Sequence, residues 1–336
     1  MKREGFLIER IAERSNLVLA LAKARRGLAR GRRQTPDGAE AERMLGRLAR
    51  GILDGTVELG RYRRFEVFDP KRRLIHAPVF EERVLHHAIL NVIGPRIERC
   101  LIGQSFACRE GLGTSAALRE AERWVRRAPF VLCLDVRRYF DSIEHRTLLG
   151  SLSRLFKDPN LLALLARIVG SYETAPGRGV PIGALTSQHF GNLYLAPVDR
   201  LVKQGLRAAG YVRYMDDLRV FGESRDRLRA AEEALRGQAA DLGLEFKPGK
   251  IASVGQGVPF LGWRLLPGGR RLSAARKRRV RARIASLDRL HRRGGIGTAA
   301  LARRAGSLFA HLEHPGTLGL RRSLLVRWPL DGEARA

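Results

Sequence analysis

The stretch Tyr211-Val212-Arg213-Tyr214-Met215-Asp216-Asp217-Leu218-Arg219-Val220-Phe221 reads as a β-hairpin with a tight turn at its centre. Apolar or aromatic residues flank the turn, Tyr211 and Val212 before it and Leu218, Val220 and Phe221 after it. Two adjacent carboxylates at such a tip repel each other, and nothing in folding rewards that. A bound cation does, because hard divalent metals take oxygen ligands. An Asp-Asp pair by itself is common in exposed turns, so the flanking strands carry more weight than the pair. A second apolar run, Phe130 to Val136, reads as a buried strand and carries Asp135 at its end. A carboxylate there is costly unless it has a partner. Three carboxylates converging from two strands can hold two metal ions about 3.5–4 Å apart, an arrangement suited to phosphoryl transfer.

The composition points the same way. The 336 residues suffice for one large domain or two to three packed lobes, and 44% hydrophobic content makes the chain globular. Lys and Arg total 63 against 34 Asp and Glu, a formal charge of +29. That excess costs stability through self-repulsion, and a polyanionic partner explains it. Nucleic acid comes first and an anionic membrane surface second; a genome that favours Arg codons is the bland alternative. Between Arg264 and Arg304 there are fourteen Lys or Arg and one acid, Asp288. So few interspersed acids favour a surface lying along phosphates over a merely solvated helix face. Cys100, Cys108 and Cys133 show no CxxC spacing, which fits a reducing cytoplasm without zinc or disulfides. The charged N-terminus is unlike a signal peptide, and apolar runs such as Leu161 to Val169 are too short to span a bilayer. The expected location is cytoplasmic, with no membrane insertion.

Along the chain, helices are expected over 6–28, 40–53, 80–99, 115–127, 145–170, 184–208 and 224–242, with a basic run from Lys23 to Arg33 closing the first. Strands are expected over 62–69, 130–136 and 259–266, besides the hairpin. Beyond residue 272 the chain reads as helical and very basic.

Asp135 to His145 and Tyr214 to Asp217 resemble motifs A and C of reverse transcriptases. The likeness continues in chain order. Asp69 to Arg73 with Arg83 to Ala88 resembles the first fingers motif, and Ser105 to Thr114 the second. Gly179 to Gln188 resembles motif B, Leu242 to Lys250 motif D, and Phe260-Leu261-Gly262 the primer grip. The resemblance covers roughly residues 60–330. It implies an α+β right-hand polymerase: an antiparallel palm sheet backed by helices, fingers before it, and a basic helical thumb. The implied division is an N-terminal helical extension over 1–55, fingers over 56–128, palm over 129–265 with a fingers insertion around 145–180, and thumb over 266–336.

The implied activity is RNA-directed DNA polymerisation with two Mg²⁺ ions, Mn²⁺ being the alternative. Asp135, Asp216 and Asp217 would hold the metals together with Val136. One ion would activate a primer 3′-hydroxyl and the other would stabilise the leaving pyrophosphate. Phe140 matches the steric gate that selects dNTPs; without the motif, a core aromatic is the simpler reading. Arg73 and Arg109 match the positions that grip the triphosphate, where a planar guanidinium fork binds phosphate bidentately. Lys250 matches a proton donor to pyrophosphate, with Lys247 as its rival. Gly111 and Gly113 would allow close backbone approach. His86 and His87 read as helix packing residues.

Motif B separates the branches. Ile182 stands where other reverse transcriptases carry Gln, and Gly183 to Gln188 follows a Gly-x-x-x-Ser-Gln pattern similar to diversity-generating retroelement enzymes. In that group copying is error-prone at template adenines. Ile182 and Gln188 would face the incoming nucleotide, and losing a polar contact there weakens discrimination. The implied partners are a template RNA, its RNA–DNA hybrid, dNTPs and a small basic accessory protein. The alternatives are a solitary or phage-defence reverse transcriptase, with the retron Asn-Ala-x-x-His and Val-Thr-Gly segments absent, and a non-catalytic RNA-binding protein on the same fold.

Overall fold

The computed structural model describes residues 3–26, 35–68 and 72–328. The end of the first basic run, Asp69, Pro70 and Lys71, and the last eight residues of the expected thumb lie outside them.

Among the described residues, nine strands form three antiparallel sheets. β1 (Tyr62–Phe68) and β2 (Arg72–Pro78) make a hairpin paired from Tyr62↔Pro78 to Phe68↔Arg72. β3 (Phe130–Asp135), β4 (Gly210–Tyr214), β5 (Asp217–Gly222) and β6 (Lys250–Ser253) form the central sheet in the order β4-β5-β3-β6. β7 (Val258–Phe260), β8 (Trp263–Leu266) and β9 (Gly269–Leu272) form the third.

The central strands read as apolar runs because both faces of their sheet are covered. Leu132, Leu134, Leu218, Val220 and Tyr211 enter the larger core cluster. Their alternates Val131, Val212 and Phe221 enter the smaller one, with Val258, Phe260, Trp263 and Leu265 of the third sheet. Helix Arg225–Asp241 packs against β5 and β3, and helix Thr114–Val125 against β4 and β8.

The expected 145–170 helix divides into His145–Ser153 and Pro159–Gly170. Asp158 caps the second, accepting from Asn160 and Leu161 N–H, both at 3.1 Å, and also binds Leu7 and Ile8 N–H at 2.7 and 3.0 Å. The expected 184–208 helix becomes Leu185–Tyr194, Ala196–Arg200 and a π-helical turn Leu201–Gly205, with Pro197 lacking the N–H a continuous helix needs. The first helix breaks at Glu13 into Ile8–Ala12 and Arg14–Arg26. The expected 259–266 strand is two strands, because Leu261 and Gly262 turn the chain with φ of 47° and 79°. The basic helices after β9 are Ala274–Arg292, Thr298–Ala310 and Leu318–Arg327. Among the described residues no helix is long and apolar enough to cross a membrane.

Candidate active site

β3 and β5 pair so that Asp135 lies directly opposite Asp217. Opposed residues of an antiparallel pair point to the same face, with Cβ atoms roughly 4.5–5.5 Å apart. β4 turns into β5 through Met215 and Asp216, with Tyr214 paired to Asp217. Met215 takes a left-handed φ of 56°, as so short a hairpin turn requires. Val136 N–H donates to the Asp216 carbonyl at 3.1 Å, tying the turn to the end of β3. The backbone thus gathers all three carboxylates, and Val136, at one end of the sheet.

The electrostatics register the crowding. Burial, then repulsion from Asp135 and Asp217, pushes the Asp216 carboxyl up to about 6. Arg73, exposed on β2, pulls the other way. Burial also raises Asp217 against the pull of Arg219. Lys247 forms an ion pair with Asp135, and Arg219 one with Asp217. Among the described residues, no three His, Cys, Asp or Glu side chains stand close enough to hold an ion. The expected convergence is therefore a property of the backbone, and the carboxylates would have to turn from Lys247 and Arg219 to complete it. By their chemistry alone, mutually repelling carboxylate oxygens are the donors that hard cations such as Mg²⁺ or Mn²⁺ take.

Around this centre, Phe140 is half-buried, with its ring centroid 5.3 Å from that of Tyr139. Its carbonyl accepts from Val180 N–H at 2.9 Å, and a Cβ on Gly191 would come within 3.5 Å of its ring. Phe140 therefore sits between the end of β3 and motif B. The Ile182 carbonyl accepts from His76 N–H at 2.7 Å, which docks the motif B loop on β2. Gly183 is required there. Its φ is +121°, and a Cβ would lie 2.7 Å from Ile75 and 3.1 Å from the His76 carbonyl. Gln188 accepts from the Cys108 thiol at 3.2 Å.

Two expected residues stand elsewhere. Arg109 is turned into the protein: it pairs with Glu98 and donates to the Ser105 carbonyl at 2.7 Å and to the Ile102 carbonyl. Those bonds tie the loop together and give the two carbonyls a donor. Lys250 is exposed at the start of β6, opposite Cys133, while Lys247 reaches Asp135. The expected primer grip, Phe260-Leu261-Gly262, is the β7–β8 turn. Arg219 connects it to the centre, donating to the Pro259 carbonyl at 3.0 Å, with its guanidinium 5.0 Å from the Phe260 ring centroid. Neither Arg219 nor Arg213 was among the expected site residues. Their signal was a charge inside an apolar strand on either side of the Asp pair.

Residues 69–265, more than half of the chain, match the family model for reverse transcriptase (RNA-dependent DNA polymerase). The chain belongs to the reverse transcriptase family, and it combines helices with antiparallel sheets, as the right-hand polymerase expectation requires. It is 24% identical over 215 residues to the retrovirus-related Pol polyprotein from type-1 retrotransposable element R2 of Nasonia vitripennis, covering 58% of this chain and 20% of that one. It is 25% identical over 243 residues to protein YkfC of Escherichia coli (strain K12), covering 58% and 64%. It is 25% identical over 179 residues to the group II intron-encoded protein LtrA of Lactococcus lactis subsp. cremoris, covering 51% and 30%. The chain thus spans from a fifth to under two thirds of these relatives. Among solved structures, apo telomerase from Candida tropicalis aligns with a TM-score of 0.46 and 11% identity, over 64% of this chain and 48% of that one.

Proposed function

We propose that the chain is an RNA-directed DNA polymerase that copies a template RNA into cDNA. The observation that carries this is the register placing Asp135 opposite Asp217, with Asp216 held beside them by the Val136 N–H. Asp135, Asp216 and Asp217, with the Val136 carbonyl, would hold two Mg²⁺ ions, which when bound supply the charge that activates the primer hydroxyl and neutralises pyrophosphate. Arg73 on the β1–β2 hairpin acts electrostatically on Asp216 and would bind the triphosphate. Phe140 would press against the sugar and exclude a 2′-hydroxyl. Lys247, already in contact with Asp135, is a better placed proton donor than Lys250. Arg219 would steady the β7–β8 turn under the primer end.

In this reading the fingers are residues 56–128 with the insertion around 145–180, the palm is 129–265 and the thumb 266–336. The N-terminal helices would brace the fingers, since helix Arg14–Arg26 packs along helix Phe80–Glu98. Primer extension on an RNA template with Mg²⁺ tests the proposal. Asp216→Ala should lose at least about a hundredfold in rate, as expected when a group worth several kcal/mol to the transition state is removed. Equal, negligible incorporation by parent and variant would leave only RNA binding.

The finer reading is a diversity-generating enzyme, and it rests on Ile182 and the Gly183 to Gln188 pattern. Ile182→Gln should lower misincorporation opposite template adenine by about tenfold, the scale of one polar contact. An unchanged error spectrum would favour a solitary or phage-defence reverse transcriptase.

A further inference from the structure

Arg213 is completely buried in β4, two residues before Met215. A buried guanidinium is costly unless its charge and its N–H groups are answered. Asp199, also fully buried on helix Ala196–Arg200, answers the charge. It accepts from Arg213 Nε at 2.7 Å and Nη2 at 2.6 Å, a bidentate pair. The Tyr211 hydroxyl donates to the same carboxylate at 2.7 Å. Arg213 Nη1 then donates to the Met215 carbonyl and to Asn192 Oδ1, each at 3.0 Å. Asn192 Nδ2 in turn donates to the Ala107 carbonyl at 2.7 Å. The Arg213 backbone pairs with the same neighbouring segment, accepting from Phe106 N–H and donating to the Gln104 carbonyl, both at 2.9 Å.

The Met215 carbonyl belongs to the peptide that leads into Asp216, and Met215 itself is held in a left-handed conformation. Fixing that carbonyl fixes the plane from which the Asp216 side chain departs. Stability does not require a charge here, because well-packed apolar residues of similar volume often serve as well or better in place of a buried ion pair. We propose that Arg213, clamped by Asp199, is a positioning residue that sets the Met215–Asp216 peptide and, through Asn192, locks the catalytic turn to the segment around Ala107. This rests on the polymerase reading above.

The test removes the charges while keeping the packing. In Arg213→Met/Asp199→Leu/Tyr211→Phe the three buried partners become apolar together, while the Met215 carbonyl and Asn192 Oδ1 lose their shared donor. A merely structural clamp predicts a folded triple variant with parental kcat, parental dNTP KM and parental Mn²⁺ affinity. Positioning predicts a melting temperature near the parent's, a dNTP KM within about twofold, a kcat at least about tenfold lower, and about tenfold weaker Mn²⁺ binding by electron paramagnetic resonance. A folded triple variant with kcat and Mn²⁺ affinity both within twofold of the parent overturns the inference. Should the triple variant not fold, Arg213→Lys keeps the charge without the planar fork. It should show the same loss of kcat and Mn²⁺ affinity, and parental values for it overturn the inference equally. A parent that polymerises nothing sinks the polymerase reading instead, and the Mn²⁺ comparison still decides the role of Arg213.

Discussion

Asp216 is destabilising at neutral pH in the metal-free protein. Burial and its carboxylate neighbours raise it from the ordinary 3.8 to about 6, so the folded state holds the proton more tightly than the unfolded state does. Stability is therefore greatest below the unfolded value and falls as pH rises through about 6. The loss amounts to about 3 kcal/mol once both states are ionised. Asp216→Asn should accordingly melt several degrees higher than the parent near pH 7.5 without divalent metal, and the two should converge by pH 4. Added Mg²⁺ should stabilise the parent and leave the variant unchanged. Thermal melts across pH, with and without Mg²⁺, check this; a variant that melts lower than the parent at pH 7.5 would make Asp216 a structural carboxylate.

At the level of elements, the sequence made strands legible where both faces are buried and hid them where they are short or exposed. β3, β4 and β5 announce themselves as apolar runs. β2, β6 and β9 do not: β2 begins with exposed Arg72 and Arg73, and the other two are four residues each. The three Asp residues were readable because they end or join legible strands. The place of Arg109 was not legible, because its partners Glu98, Ile102 and Ser105 meet it only through loop closure. Lys247 and Lys250 could not be ranked until β6 was placed, since three residues shift a side chain from Asp135 to solvent. Asp158 shows the same limit: the expected 145–170 helix ran straight through it, and its bonds to Leu7 and Ile8 join segments far apart in the chain. Burial alone would raise its carboxyl, but those two N–H groups with Leu161 and Asn160 outweigh burial and hold it below the ordinary value. Its contribution is thus present above the usual carboxylate range and lost as pH falls through the still lower folded value. Asp158→Ala should cost about 2–4 kcal/mol in urea unfolding at pH 7 and speed hydrogen exchange in the first helix. A loss confined to helix Pro159–Gly170, with the N-terminal helices still protected, would show that the long-range bonds contribute little.

At the scale of the whole molecule, the charge of +29 needs a place to act, and helix Ala274–Arg292 offers one. Val280 and Ile284 bury one face in the third sheet's core, and Leu287 is buried on the same side, which fixes how the helix is rolled. Arg278, Arg281 and Arg289 are exposed and, at 100° per residue, share one side of it. A stripe of that kind follows a phosphate backbone, and each phosphate it neutralises releases counterions. The logarithm of affinity for an RNA–DNA hybrid should then fall linearly with the logarithm of salt concentration. Replacing the three arginines with Ala should reduce that slope by a little under one per contact, hence by two to three in all. The melting temperature should stay within about two degrees, because exposed side chains contribute little to folding. Fluorescence anisotropy from 50 to 300 mM KCl measures the slope. If the triple variant bound with the parent's slope, the hybrid would lie on another face, and the excess charge would owe nothing to this helix.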